Sequence, residues 1–198
     1  MNYFIFWATF VLLAFLVLLC DKKYYMLRDA GSALPRCYSF SRVQLAWWTT
    51  IVLAGVITII ITKGWLIPDF TTSTLYLLGI SAATTVGATL IDLSDQSNTK
   101  LTSLHQNEQG DNFFLDILSD KNGVSIHRFQ TVAFNMVFGI WFVINFFSNM
   151  NTPTLGVNDI LPVFSDNNLV LLGLSSGLYT AVKATENRQV SATTNNQQ

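Results

Sequence analysis

Residues 39–62 read SFSRVQLAWWTTIVLAGVITIIIT. A serine and an arginine open the stretch, and twenty uncharged residues, 43–62, close it. A helix needs about 20 apolar residues to cross the hydrocarbon core of a bilayer. The run is continuous where a half-buried strand would alternate, and only helices or closed barrels satisfy their backbone groups in lipid. The stretch therefore predicts a membrane-spanning helix.

The rest of the chain repeats this pattern. Residues 1–20, 70–91 and 129–158 also carry no charge, and a shorter uncharged window covers 167–182. These windows place spans at about 3–20, 43–62, 74–92, 130–148 and 166–184. The composition agrees. The 198 residues are 51% hydrophobic and 12% charged, with mean hydropathy +0.40 and net charge −1. A soluble domain is about 25% charged. So little charge cannot coat a water-soluble enzyme, and the near-zero balance argues against direct nucleic-acid binding. The expected fold is an all-α integral membrane protein with five transmembrane helices.

The first span is expected to be an anchor helix, not a cleaved signal. Its basic cluster, Lys22 and Lys23, follows the apolar run instead of preceding it. With the N-terminus outside, Lys22, Lys23, Arg28, Arg36, Arg42, Lys100, Lys121, Arg128, Lys183 and Arg188 all fall on one side, and Lys63 alone on the other. The positive-inside rule makes the basic side cytoplasmic, and the C-terminus then lies inside.

The chain also resembles itself. Ser39-x-x-Arg42-x-Gln44 opens the second span, and Ser125-x-x-Arg128-x-Gln130 opens the fourth. Leu78-Gly79-Ile80-Ser81 in the third span recurs as Leu172-Gly173-Leu174-Ser175 in the fifth, and each glycine is followed thirteen residues later by an acid, Asp92 or Glu186. Two parallel copies of one helical hairpin are expected. The organisation is then an anchor helix with a basic loop over 1–37, a first hairpin over 38–93, a cytoplasmic loop over 94–123, a second hairpin over 124–186 and a disordered tail over 187–198. These motifs resemble a group of bacterial multi-pass membrane proteins of unassigned function. That resemblance implies a bacterial inner-membrane location and supplies no activity.

The repeated polar residues are the structural or gating candidates. Ser39 and Ser125 stand where helix N-caps belong. An antiparallel hairpin brings the start of one helix beside the end of the next, so Arg42 is expected to pair with Asp92 and Arg128 with Glu186, with lipid-headgroup contact or a ligand or gating role as the alternatives. Gln44 and Gln130 are expected to hydrogen-bond between helices. Gly79, Ser81, Gly87, Gly173, Ser175, Ser176 and Gly177 are small residues suited to close helix packing or to a pore lining, and Asn135 is a further polar candidate.

In the cytoplasmic loop, residues 95–111 are polar and expected to be flexible. A short interfacial helix follows, and Phe113, Phe114, Ile117 and Leu118 on it are the partner-binding candidates. No HExxH, G-x-S-x-G or CxxC motif occurs. No catalytic residue, metal or cofactor is expected. Cys20 and Cys37 are expected to be reduced thiols. The leading expectation is a non-enzymatic subunit that oligomerises with itself in the lipid bilayer and serves a cytoplasmic protein partner, with envelope or phage defence as one setting. An oligomeric channel and a small-solute transporter are the alternatives.

Overall fold

The computed structural model of the chain describes residues 2–99, 101, 104–121 and 123–195. It is built from helices: α1 (Asn2–Tyr24), α2 (Phe40–Thr62), α3 (Thr72–Ser97), the short α4 (Phe113–Leu118), α5 (Ile126–Met150) and α6 (Asp166–Asn195). A two-residue antiparallel pair, β1 (Ser119–Asp120) and β2 (Gly123–Val124), joins α4 to α5. Gly123 takes φ +105°, a conformation other residues avoid. Four helices, α1, α2, α3 and α5, are long and apolar enough to cross a membrane.

The helices bound the uncharged windows for local reasons. Asn112 and Thr71 cap α4 and α3, accepting the amides of Leu115 and Thr74 at 2.9 and 3.2 Å. Ser39 and Ser125 do hold the N-cap positions of α2 and α5, but neither hydroxyl caps its helix. The Ser39 hydroxyl instead meets the Ser41 hydroxyl at 3.3 Å. The expected tail is also different: α6 continues through Asn195, and residues 196–198 lie outside the described part of the chain.

The hairpins α2–α3 and α5–α6 stand side by side. α3 packs on α6 and α2 on α5, so the circuit of neighbours runs α2, α3, α6, α5. Both hairpins point the same way, since Trp48 of α2 meets Asn135 of α5 and Gln44 meets Ser176 of α6. At one end the loops of the two hairpins meet through Asn158, which donates to Asp69 Oδ2 at 2.7 Å and accepts its amide at 3.0 Å. The other end, where α2 and α5 begin, carries most of the lysines and arginines and is called here the basic end.

Apolar contact fills the space between helices. Trp48, Ile51, Ile59, Phe142 and Phe146 are wholly or almost wholly buried. Residues 160–164, ahead of the expected last span, lie outside any helix and bury Ile160, Leu161 and Phe164 in this core. Phe164 meets Trp48, Trp141 and Phe142 within 6.1 Å. Its amide donates to Ser73 Oγ, and Asn149 donates to the Ile160 carbonyl. Irregular backbone at this depth is tolerated because its polar groups find partners inside the protein. α1 lies outside the circuit on α2, anchored by Phe6 against Phe146 and Phe147. Only 6% of its apolar window is buried, so Phe4, Val11, Leu12 and Phe15 face outward as lipid-contacting residues do.

Candidate functional site

Charge gathers in the interior of the basic end. On α6, Tyr179, Lys183, Glu186 and Asn187 share one face, at spacings of four, three and one residues. All four are buried. Lys183 Nζ lies 3.1 Å from Asp92 Oδ1 of α3 and 3.3 Å from Asp29 Oδ2 of the 25–39 segment. One ammonium thus holds two carboxylates from distant parts of the chain. Burial pushes the Asp29 carboxyl up, but the Lys183 ammonium, the Ser39 hydroxyl and Arg128 outweigh it, so the group stays below the ordinary carboxylate value.

One turn further along α6, Glu186 accepts from Arg128 Nη2 at 3.0 and 3.3 Å and from the Lys121 amide at 2.9 Å. His105 Nε2 stands 3.7 Å from the same carboxylate, while His105 Nδ1 meets Glu108 at 2.9 Å. Asn187 accepts the His105 amide and donates to Asp95 Oδ2 and Gln106 Oε1. The Arg128 guanidinium lies 5.4 Å from the centre of the Tyr179 ring, and Phe40 packs against that ring edge-on. Tyr179 is therefore a core residue.

The 25–39 segment is locked into the same cap. Arg28 pairs with Asp21 at 3.2 Å, donates to the Arg36 carbonyl and to the Tyr38 hydroxyl, and stacks over the Tyr38 ring at 4.0 Å. Gly31 lies so close to the Gln106 carbonyl that a Cβ would overlap it. The polar stretch 95–111, expected to be flexible, thus contributes buried Asp95 and Gln106 to a packed structure. Cys37 is buried beneath Glu108, to whose carbonyl its thiol donates at 3.3 Å. Burial and the nearby carboxylates of Asp116, Asp29, Glu108 and Asp111 push this thiol up to about 11. Both cysteines are free.

The expected pairs fare differently. Arg128 and Glu186 meet as the hairpin geometry requires. Arg42 and Asp92 do not, because α6 lies against α3 and brings Lys183 to Asp92 first. Among the described residues Arg42 makes no ion pair. It lines a groove of about 430 Å3 between α1, α2 and α3.

Gln44 donates to Ser176 Oγ at 3.1 Å, an interhelical bond as expected, while Gln130 is exposed and takes no such place. Asn135 is buried by accepting the Trp48 indole at 2.7 Å and donating to the Thr131 carbonyl, so it ties α2 to α5. Ser81 and Ser175 are buried and bond back to Leu77 and Leu171 of their own helices.

Of the glycines, Gly87 gives close approach: a Cβ there would come 3.1 Å from Thr180 Cγ2. Gly173 faces Ile80 more loosely, and Gly79 and Gly177 face open space. Gly173 and Gly177, with Ser176, border an outward-facing groove of about 520 Å3 between α3 and α6.

On α4, Ile117 is buried, and Phe113 and Leu118 pack inward beside Tyr38, Val43 and Phe40. Phe114 alone of the four partner candidates is exposed, at 70%. Among the described residues, no group of three or more His, Cys, Asp or Glu side chains is placed to hold a metal ion. No protein-family model, curated protein or solved structure matches this chain.

Lys183, Asp29, Gln106 and Asn187 were not among the expected site residues. Asp29 and Gln106 were counted as loop and Asn187 as tail, and Lys183, at the end of the expected 166–184 span, was read only for topology. The usable signal was the α6 spacing Tyr179, Lys183, Glu186, which puts a phenol, an ammonium and a carboxylate on one face once the helix passes residue 182.

Proposed function

We propose that the chain is a non-enzymatic, oligomeric subunit of the bacterial inner membrane that holds or signals to a cytoplasmic protein. The observation that carries this reading is the buried charge cluster at the basic end. It joins the 25–39 segment, the 94–123 loop and the ends of α3, α5 and α6 into one stiff cap. A protein that transmits position to a soluble partner needs such a face, and a conduit does not. The space a conduit would need inside one protomer is filled by Trp48, Phe142, Phe146 and Phe164.

In this reading α6 is a fifth span. Its uncharged run of sixteen residues covers about 24 Å, and the polar groups beyond it are shielded by the cap. The N-terminus is outside, the C-terminus and the cap are cytoplasmic, and the two halves are copies of one hairpin. The small-residue face of α3 and α6 is the self-association surface, since Gly79 and Gly177 leave room for another helix. Phe114 is the side chain left for the cytoplasmic partner.

The test is reconstitution of the full chain, with native mass spectrometry for stoichiometry and liposome flux for conduction. A small oligomer with no ion flux above empty liposomes is expected. A flux altered by Asn135→Ala or Ser176→Ala overturns the proposal in favour of a channel, and saturable solute uptake overturns it in favour of a transporter.

A further inference from the structure

The groove between α1, α2 and α3 has one charged end. Arg42 stands in the first turn of α2, half-buried, with no ion pair among the described residues. Its expected acid, Asp92, is already held by Lys183. Away from Arg42 the groove is lined by Leu45, Ala46 and Val17, with Thr49 and Thr89 among them. Thr49 lies seven residues further along α2, so the groove runs about 10 Å from the basic end toward the middle of the helices. The volume, about 430 Å3, is that of a small-ligand site.

The geometry points to a phospholipid site, in which Arg42 holds the phosphate of an anionic lipid and one acyl chain lies along Leu45, Ala46 and Val17. The occupant follows from the arrangement of charge. A guanidinium without a carboxylate presents several donors to a phosphate, which accepts and never donates. A freely diffusing phosphate has no use for the apolar length of the groove, and an apolar solute has no use for the arginine. The exposed Lys22 and Lys23 end α1 at the same end of the bundle and favour a lipid of net negative charge. Lys183 makes the site possible: by taking Asp92 it leaves Arg42 without a contact ion pair, its guanidinium free to donate to another acceptor. The second hairpin has no equivalent, because Arg128 is occupied by Glu186.

The inference rests on the chain spanning a bilayer with Arg42 at a headgroup boundary. It does not depend on any cytoplasmic partner or on oligomerisation.

The test is native mass spectrometry of the full chain, delipidated in detergent and titrated with phosphatidylglycerol, phosphatidylcholine or inorganic phosphate. One phosphatidylglycerol per protomer is expected, held roughly tenfold more tightly than phosphatidylcholine. Arg42→Gln should lose that preference, and Arg42→Lys should keep part of it. Ala46→Leu, which leaves the charge and narrows the groove, should weaken phosphatidylglycerol without weakening inorganic phosphate.

A melting temperature within a few degrees of wild type shows that each variant is folded, and Lys63→Gln, on the opposite loop, serves as the control. Equal retention of the two lipids overturns the site, as does full phosphatidylglycerol preference in Arg42→Gln. Competition by inorganic phosphate with no effect of Ala46→Leu assigns the groove to a free anion and overturns the lipid. These outcomes leave the proposed scaffold role standing, and an ion flux would leave the lipid site standing.

Discussion

Lys183→Met is expected to be the most damaging single change in the protein. The ammonium lies 3.3 and 3.1 Å from two carboxylates, and the three side chains are 5, 9 and 5% exposed for Lys183, Asp29 and Asp92. Methionine keeps the length of the side chain and removes its charge, leaving two buried acids with no cation between them. Breaking a buried pair from one side costs about 3–5 kcal/mol, because the remaining charge stays in a poorly solvating site. For a chain of this size that corresponds to a fall in melting temperature of roughly 6–20 °C.

The assay is thermal and SDS-driven unfolding in detergent, with Lys22→Met as the exposed control, expected within about 0.5 kcal/mol of wild type. The triple variant Lys183→Met, Asp29→Asn, Asp92→Asn removes the stranded charges and should recover most of the loss. A single variant within 1 kcal/mol of wild type would refute the reasoning. A triple variant no better than the single would show that the loss came from packing and not from charge.

Other changes discriminate between neighbouring features. Gly139→Ala should destabilise by about 1–3 kcal/mol, since its Cβ would lie 2.7 Å from the Trp47 ring, whereas Gly79→Ala, facing open space, should be neutral or slightly stabilising; paired melts measure both. Asn135→Ala strands the buried Trp48 indole and should cost about 1–3 kcal/mol in the same assay. Cys37, with its thiol pushed up to about 11, should alkylate at pH 8 at least tenfold more slowly than an ordinary cysteine, read by mass spectrometry of the tryptic peptides.

Asp29 is held below its ordinary value in the fold, so the stability it adds is whole above the unfolded value near 4 and is lost as pH falls through the folded value. The contribution of Asp29 to the gap between wild type and Asp29→Asn should therefore shrink as pH falls below about pH 4.

The sequence showed where the long helices lie because lipid imposes a length and forbids charge, and both are visible without partners. The Arg128–Glu186 pair was legible for a similar reason: hairpin geometry alone sets it. Asp92 was not, because its partner is chosen by which helix stands nearest. That depends on the close approach of α3 and α6 at Gly87 and Thr180. Small residues advertised the approach but not its depth or rotation. The cap was hidden for another reason. Gln106, Asn187 and Asp95 are held by polar contacts between segments, and a polar stretch with no hydrophobic period looks the same whether it is solvated or satisfied internally. Residues 160–164 were legible only as an apolar run ahead of the last span: apolar content marks burial, and Pro162 keeps that burial from being helical.

The double grip of Lys183 also sets an order of events. Asp29 is made 154 residues before the lysine that neutralises it, and Asp92 is made 91 residues before. While the chain is being synthesised, Asp29 and Asp92 therefore precede their shared cation, and the 25–39 segment has only its own contacts, such as Arg28 with Asp21 and Tyr38, to hold it. The arrival of α6 then closes both contacts at once. The last helix to be made is thus the one that completes the contacts of the first loop, and the cap closes only once α6 has been added.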